Sequence, residues 1–250
     1  MYSETRYTVD SRDIDLWGAC RPSAVMGLLQ EAAVAAACQL HLSRKETMDK
    51  YGLFWMLARM WYRLDRPLRW GEQVAIRTWH RGSSGVSCYR DFDLFVDGNP
   101  VGEAVSVWVL AHAQTHRLAR MGDLEEFRGT DGGELRKSKT ISRFRMPPGL
   151  PEVERRRLHY SDTDVNGHVN NIRYADYISD AIRLDLLGKD QFVSQLQVDY
   201  LAECMAGETI SLTAGEAEGQ WYVRGAGPEG KSRFEGAVTL SPLDSGAPIK

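Results

Sequence analysis

The chain writes one order of elements twice. In each half a short alternating segment runs through a polar loop into a long helical stretch, and several β-like runs follow. The halves also echo each other locally. Asp15 to Gly18 corresponds to Asp164 to Gly167 at an offset of 149, and the same offset sets Glu31 opposite Asp180, both in mid-helix. Trp70, Gly71 and Glu72 echo Ala206, Gly207 and Glu208 at an offset of 136. The change of offset predicts a longer connection after the first helix, around residues 44–51. A duplicated supersecondary unit admits few architectures, because each copy must bury the same face against the same kind of partner.

The first copy centres on a helix expected over 23–42. Pro22 ends the extended segment before it, Ser23 is placed to cap it, and nearly every residue from Ala24 to Leu42 is small or apolar. A helix apolar all round is wrapped by other structure. Residues 74–80, 86–96 and 103–112 read as strands rich in Val, Trp, Tyr and Phe, with Asp97 and Gly98 turning the last pair. Gly and Pro punctuate a basic, weakly apolar stretch over 129–149. After it, 154–160 reads as a strand. Residues 171–187 read as a helix with Ile172, Ala175, Ile178, Ile182 and Leu186 on one face and Gly188 as its stop. Residues 195–200, 209–213, 221–224 and 234–240 read as strands. One long helix laid across a curved antiparallel sheet is the hot-dog plan, and 250 residues accommodate two. The expectation is an α+β chain with a tandem (double) hot-dog fold: an N-terminal half over 1–128, a basic linker over 129–149 and a C-terminal half over 150–250.

Composition narrows the function classes. Lys and Arg number 31 against 34 Asp and Glu, a net charge of −3, which gives no support to a whole-surface nucleic-acid binder. No apolar run is long enough to span a bilayer, since 24–42 carries Gln30, Glu31, Gln39 and His41. No charged-then-apolar leader precedes the first alternating segment, so a cytoplasmic location is expected. Cys20, Cys38, Cys88 and Cys204 lie far apart, with neither a CxxC pair nor zinc-ligand spacing. Reduced thiols and no metal are expected.

The chemistry gathers between His159 and Asn171. Asp162, Asp164, Asn166, His168, Asn170 and Asn171 crowd the loop before the second long helix. Asn166-Gly167 demands a sharp bend. The helix, expected to begin around Asn170, would offer unsatisfied N–H groups and a positive dipole end to a carbonyl oxygen that gains negative charge. A carboxylate and an imidazole beside it can direct or activate an attacking group. Asp162, Asn170 and Asn171 suit capping and turn bonds. Asp164, Asn166 and His168 together exceed what a cap requires.

Asp164, Asn166, His168, Val169, Asn170 and Asn171, in this spacing, resemble the Asp-x-Asn-x-His-Val-Asn-Asn motif of acyl-acyl carrier protein thioesterases, the plant and bacterial enzymes that end fatty acid synthesis. The resemblance extends over 29–33, 53–60, 70–72, 77–79 and 106–109 in the first half, and over 198–204 and 211–213 in the second. It implies a double hot-dog fold, in agreement with the repeat. It also implies hydrolysis of fatty acyl thioesters on an acyl carrier protein, and four catalytic positions: Asp164, Asn166, His168 and Glu203. Asn166 is then expected to donate to the thioester carbonyl, His168 to polarise and shuttle a proton, and Glu203 to position and deprotonate water. Asp164 either orients its neighbours or attacks the carbonyl itself, giving an anhydride that water cleaves. The sequence leaves both open. Glu203 is read at the end of a strand, where alternation turns Cys204 away from the site, and a lone cysteine reads as a buried apolar residue.

The first half reads as a copy without the chemistry, because Trp17 and Ala19 stand where Asn166 and His168 do and only Asp15 remains. It is expected to shape the acyl-chain cavity. Met26, Leu29, Phe54, Trp55, Met56 and Trp61 are candidates, with core packing as the simpler role for each. Residues 136–157 carry eight basic side chains against Glu152 and Glu154. They read as a solvated linker or as a landing surface for an acidic carrier protein. Three readings compete: acyl-CoA hydrolysis by the same site, a hot-dog hydratase, and a non-catalytic acyl-binding regulator. The hydratase motif places Pro after Asn, where Gly167 stands here, and a regulator would lose the polar constellation. No cofactor, no nucleic acid and no membrane span are expected, and a homodimer stays open.

Overall fold

The computed structural model describes residues 2–120, 124 and 141–243. The elements of the first half are β1 (Ser3–Thr8), α1 (Pro22–Gln39), α2 (Arg44–Tyr51), β2 (Leu53–Leu64), β3 (Gln73–Ser84), β4 (Ser87–Val96) and β5 (Asn99–His112). The second half contributes β6 (Glu152–Arg157), α3 (Arg173–Ala181), α4 (Leu184–Leu187), β7 (Gln191–Tyr200), β8 (Thr209–Ala217), β9 (Gln220–Ala226) and β10 (Ser232–Pro242). Strand order is β1-β3-β4-β5-β2 in the first half and, read the same way, β6-β8-β9-β10-β7 in the second. Adding five to each label converts one order into the other, so the topology is duplicated along with the sequence. The ladders β1–β3–β4–β5 and β6–β8–β9–β10–β7 are antiparallel throughout. This is the double hot-dog fold expected.

Compactness divides the chain differently from sequence order. One unit holds Met1–Thr8, Gly27–Met60 and Gln73–Ile141, and the other holds Val9–Met26, Trp61–Glu72 and Ser142–Lys250. The Asp15 loop therefore belongs to the unit that contains the second half.

Three local features depart from the sequence reading. α1 begins at Pro22 rather than after it, since a proline in the first turn gives up no helical bond. Nor is α1 apolar all round: Val25, Met26, Leu29, Ala32, Ala33 and Ala36 form its buried stripe, while Glu31, Val34 and Cys38 face solvent. The connection expected around 44–51 is itself a helix, α2. Ser43 and Glu46 exchange capping bonds at its start, at 3.3 and 3.0 Å, and Gly52 at φ +63° ends it. The helix expected over 171–187 breaks in two, because Arg183 takes the left-handed conformation (φ +61°), where its guanidinium forks onto Asp185 at 2.8 Å.

In the second half α3 lies on the sheet. Tyr174, Ala175, Tyr177, Ile178 and Ala181 are its buried residues. Gly236 of β10 lets it approach, since a Cβ there would stand 2.5 Å from Ile178 Cδ1. The Tyr174 ring meets Phe234 and Tyr200 edge-on, with centroids 4.8 and 5.6 Å apart. In the first half Leu53, Cys88, Leu110 and Leu124 form a core cluster with Trp55 and Trp108 against it. Trp55 also donates from its indole to the Leu42 carbonyl at 2.8 Å, which is a packing role. Of the proposed linker, Arg136, Lys137 and Lys139 lie outside the described residues. Its described end is fastened to the sheet: Gln197 donates to the Ser142 carbonyl at 2.9 Å, and Arg143 pairs with Glu235 at 2.9 Å. No single described helix is long and apolar enough to cross a membrane.

Candidate active site

The site is built on a tight turn that the sequence forces. Asp162 accepts the His159 N–H on its carboxylate at 2.7 Å and so closes a 3-10 turn over Tyr160–Asp162. The Asp164 carbonyl then accepts the Gly167 N–H at 3.0 Å, and its Oδ1 accepts the Asn166 N–H at 2.8 Å. Gly167 sits at φ +82°, a conformation that L side chains rarely adopt. The Asp164 N–H returns to the His168 carbonyl at 3.1 Å, and Thr163 bridges Val169 beyond it. The turn thus presents Val165 and Asn166 to solvent and leaves the His168 side chain a quarter exposed, at 24%.

Glu203 arrives from another segment. It lies three residues beyond β7, in the connection to β8, not at a strand end as the sequence suggested. The Val169 N–H donates to the Cys204 carbonyl at 2.8 Å and pulls this connection against the turn. Glu203 Oε1 then stands 3.8 Å from His168 Nε2. Cys204 is fully buried while Glu203 is exposed, and burial pushes the Cys204 thiol up, which disfavours the thiolate that a nucleophile needs.

One expectation about the helix start is corrected. α3 begins at Arg173, not near Asn170, because Asn170 spends itself on capping. Its Oδ1 accepts the Ile172 N–H at 3.0 Å and its carbonyl accepts the Arg173 N–H at 3.0 Å. The Ile172 and Arg173 N–H groups are thereby occupied. Among the described residues no three His, Cys, Asp or Glu side chains gather as a metal site.

The first half repeats the turn and adds one bond, from the Ala19 N–H to Asp15 Oδ1 at 3.0 Å. Asp15 Oδ1 accepts the Trp17 N–H at 2.9 Å, the Asp15 carbonyl accepts the Gly18 N–H at 3.2 Å, and the Asp15 N–H returns to Ala19 at 2.8 Å. Cys20 donates to the Leu68 carbonyl at 2.9 Å, the counterpart of Val169 to Cys204. The scaffold is therefore the same and the side chains differ. Trp17, Ala19 and Pro67 replace Asn166, His168 and Glu203. The Trp17 indole rests on Gly188, where a Cβ would stand 2.5 Å from its Cδ1. Pro67, as the counterpart of Glu203, was readable from the 136 offset.

Residues 2–128 match the acyl-ACP thioesterase N-terminal domain, and residues 150–232 match the acyl-ACP thioesterase C-terminal domain. The chain belongs to the acyl-ACP thioesterase family. Among its relatives in that family, the chloroplastic oleoyl-acyl carrier protein thioesterase 1 of Arabidopsis thaliana is 26% identical over 85% of this chain and 64% of its own length. The chain spans about half to two thirds of the length of the first curated relatives it matches. The crystal structure of an acyl-ACP thioesterase from Bacteroides thetaiotaomicron superposes with a TM-score of 0.87 at 22% identity, covering 96% of this chain and 98% of that one. The 12:0-ACP thioesterase from Umbellularia californica gives 0.81 at 20% identity, with 96% and 97% covered. These superpositions extend the family's fold to the whole of the described chain.

Proposed function

We propose that this acyl-ACP thioesterase family member hydrolyses fatty acyl thioesters carried on an acyl carrier protein and releases free fatty acids. The observation that carries the reading is the pairing of His168 and Glu203 at 3.8 Å beside Asn166, on a turn whose duplicate lacks all three side chains. In the reaction, Glu203 and His168 take a proton from water, and its oxygen attacks the thioester carbonyl carbon. The Asn166 amide donates to the oxyanion that forms. The C–S bond then breaks, and His168 returns the proton to the departing thiolate, leaving a fatty acid and a thiol. A thiolate is a good leaving group, so one imidazole suffices. Asp164 holds the turn through its Oδ1, and its carboxylate charge supports the site. The first half, 1–128, shapes the acyl-chain cavity, and 150–250 carries the chemistry.

The test is release of free fatty acid from acyl-carrier-protein and acyl-CoA panels of varied chain length. We expect turnover on the carrier substrates, and His168→Ala and Glu203→Gln should each lower kcat by on the order of 10²–10⁴-fold while folded. Release from acyl-CoA alone would transfer the reading to that substrate class. Full turnover by either variant would remove the proposed mechanism.

A further inference from the structure

His168 and Glu203 come from different segments, and 3.8 Å is a separation that small shifts of either segment would change. Two of the bonds that tie those segments together lie within three residues of the pair. One is the backbone bond from Val169 to Cys204, which has its counterpart in the first half, from Cys20 to Leu68. The other is made by a side chain: the Tyr200 hydroxyl, at the end of β7, donates to the Asn171 carbonyl at 3.2 Å. Tyr200 and Cys204 bracket Glu203 on its segment, while Asn171 and Val169 both follow His168 on the other, so the hydroxyl bond is the one that anchors the Glu203 segment from its strand side.

The duplicate supplies a control. At the matching places of the first half stand Leu64 and Pro22, both buried, and Leu64 has no hydroxyl to donate. The fold builds the same turn and the same backbone bond there without this contact. The hydroxyl bond is thus not needed to form the turn, and it occurs in the half that carries Asn166, His168 and Glu203. The ring is fixed from the side by its edge-on contact with Tyr174 at 5.6 Å, which leaves the hydroxyl little freedom to look elsewhere.

We propose that Tyr200 is a positioning residue of the thioesterase site, holding the Glu203 segment against the His168 segment through its bond to Asn171. The proposal rests on the functional reading above and assigns Tyr200 no contact with substrate. Its consequence is that loss of the hydroxyl alone loosens the pair, and misplaced acid–base groups lose rate steeply.

The experiment is steady-state hydrolysis of an acyl-carrier-protein substrate by the full chain, its Tyr200→Phe and Tyr200→Leu variants, Glu203→Gln, and the double change Tyr200→Phe/Glu203→Gln, each with its melting temperature. Leu is the residue that the first half tolerates at this place. We expect Tyr200→Phe to melt near the wild type and Tyr200→Leu, which also gives up the ring contact with Tyr174, to melt lower, with kcat about tenfold lower in both and KM within about twofold. In the double change the hydroxyl should cost almost nothing further, because the pair it positions is already broken. Wild-type kcat in Tyr200→Phe overturns the proposal. So does a loss that multiplies with Glu203→Gln, or one that follows the melting temperature, since either marks a structural role. Absence of hydrolysis by the wild type itself removes the functional reading, and this inference with it.

Discussion

Asp164 and Asp15 share a turn-building bond in two loops with different chemistry. Each carboxylate accepts the N–H two residues on, at 2.8 and 2.9 Å. Turn-building is therefore common to both and proves nothing about catalysis at Asp164. Asp164→Asn separates the roles, because an amide oxygen can still accept the Asn166 N–H while the charge is gone. We expect kcat to fall on the order of 10²-fold or more at an unchanged melting temperature. Asp15→Asn, with no imidazole beside it, should leave turnover near normal. Equal behaviour of the two variants would reduce Asp164 to the turn builder that Asp15 is. At this scale the motif was readable in the sequence because its residues lie close together. The reach of Glu203 depended on the family resemblance, since no local spacing links it to His168.

α3 sits on β10 only because residue 236 has no side chain. Gly236→Ala would bring a Cβ to 2.5 Å from Ile178 Cδ1 and 2.9 Å from its Cγ1. Overpacking of this kind costs about 1–3 kcal/mol, and the drop should appear in the urea midpoint. Ile178→Val removes the nearer methyl and should return part of it when combined with Gly236→Ala. Recovery of nothing would mean that the helix does not press on this strand. The elements that the sequence showed best were those with clear punctuation, such as the β4–β5 hairpin, where Asp97 and Gly98 both take positive φ. β2 was legible only through the resemblance. Its run from Leu53 to Leu64 is apolar without alternation, and it buries residues on both faces. α2 was read only as a longer connection, because its helix is almost wholly polar and offers no apolar stripe to notice. The break at Arg183 had no warning, since arginine in the left-handed region is not a residue-level expectation.

On the whole molecule, the basic stretch that runs into β6 is not one uniform surface. Arg156 is committed inward: it pairs with Glu154 and Asp180 at 2.8 Å each and stacks on Tyr177 at 4.9 Å. Arg155 and Arg157 are exposed, and the pairing of Arg155 with Glu152 is a surface contact of small worth. Under the proposed function, Arg155 and Arg157 are the side chains of this triplet left to meet an acidic carrier. Changing both to Glu should raise KM for an acyl carrier protein and leave small thioesters unchanged, and added salt should erode the wild-type preference. Equal effects on both substrate kinds would point to a folding defect. The duplicated turn fixes a last quantity. Assemblies built from identical single-copy chains acquire catalytic centres in symmetric pairs, and such pairs can communicate or alternate. Here one gene carries both copies, and Trp17, Ala19 and Pro67 blank one of them. Under the proposed function each chain then holds a single centre, and the other copy keeps the backbone of the turn while its side chains, such as Trp17 against Gly188, are left to packing.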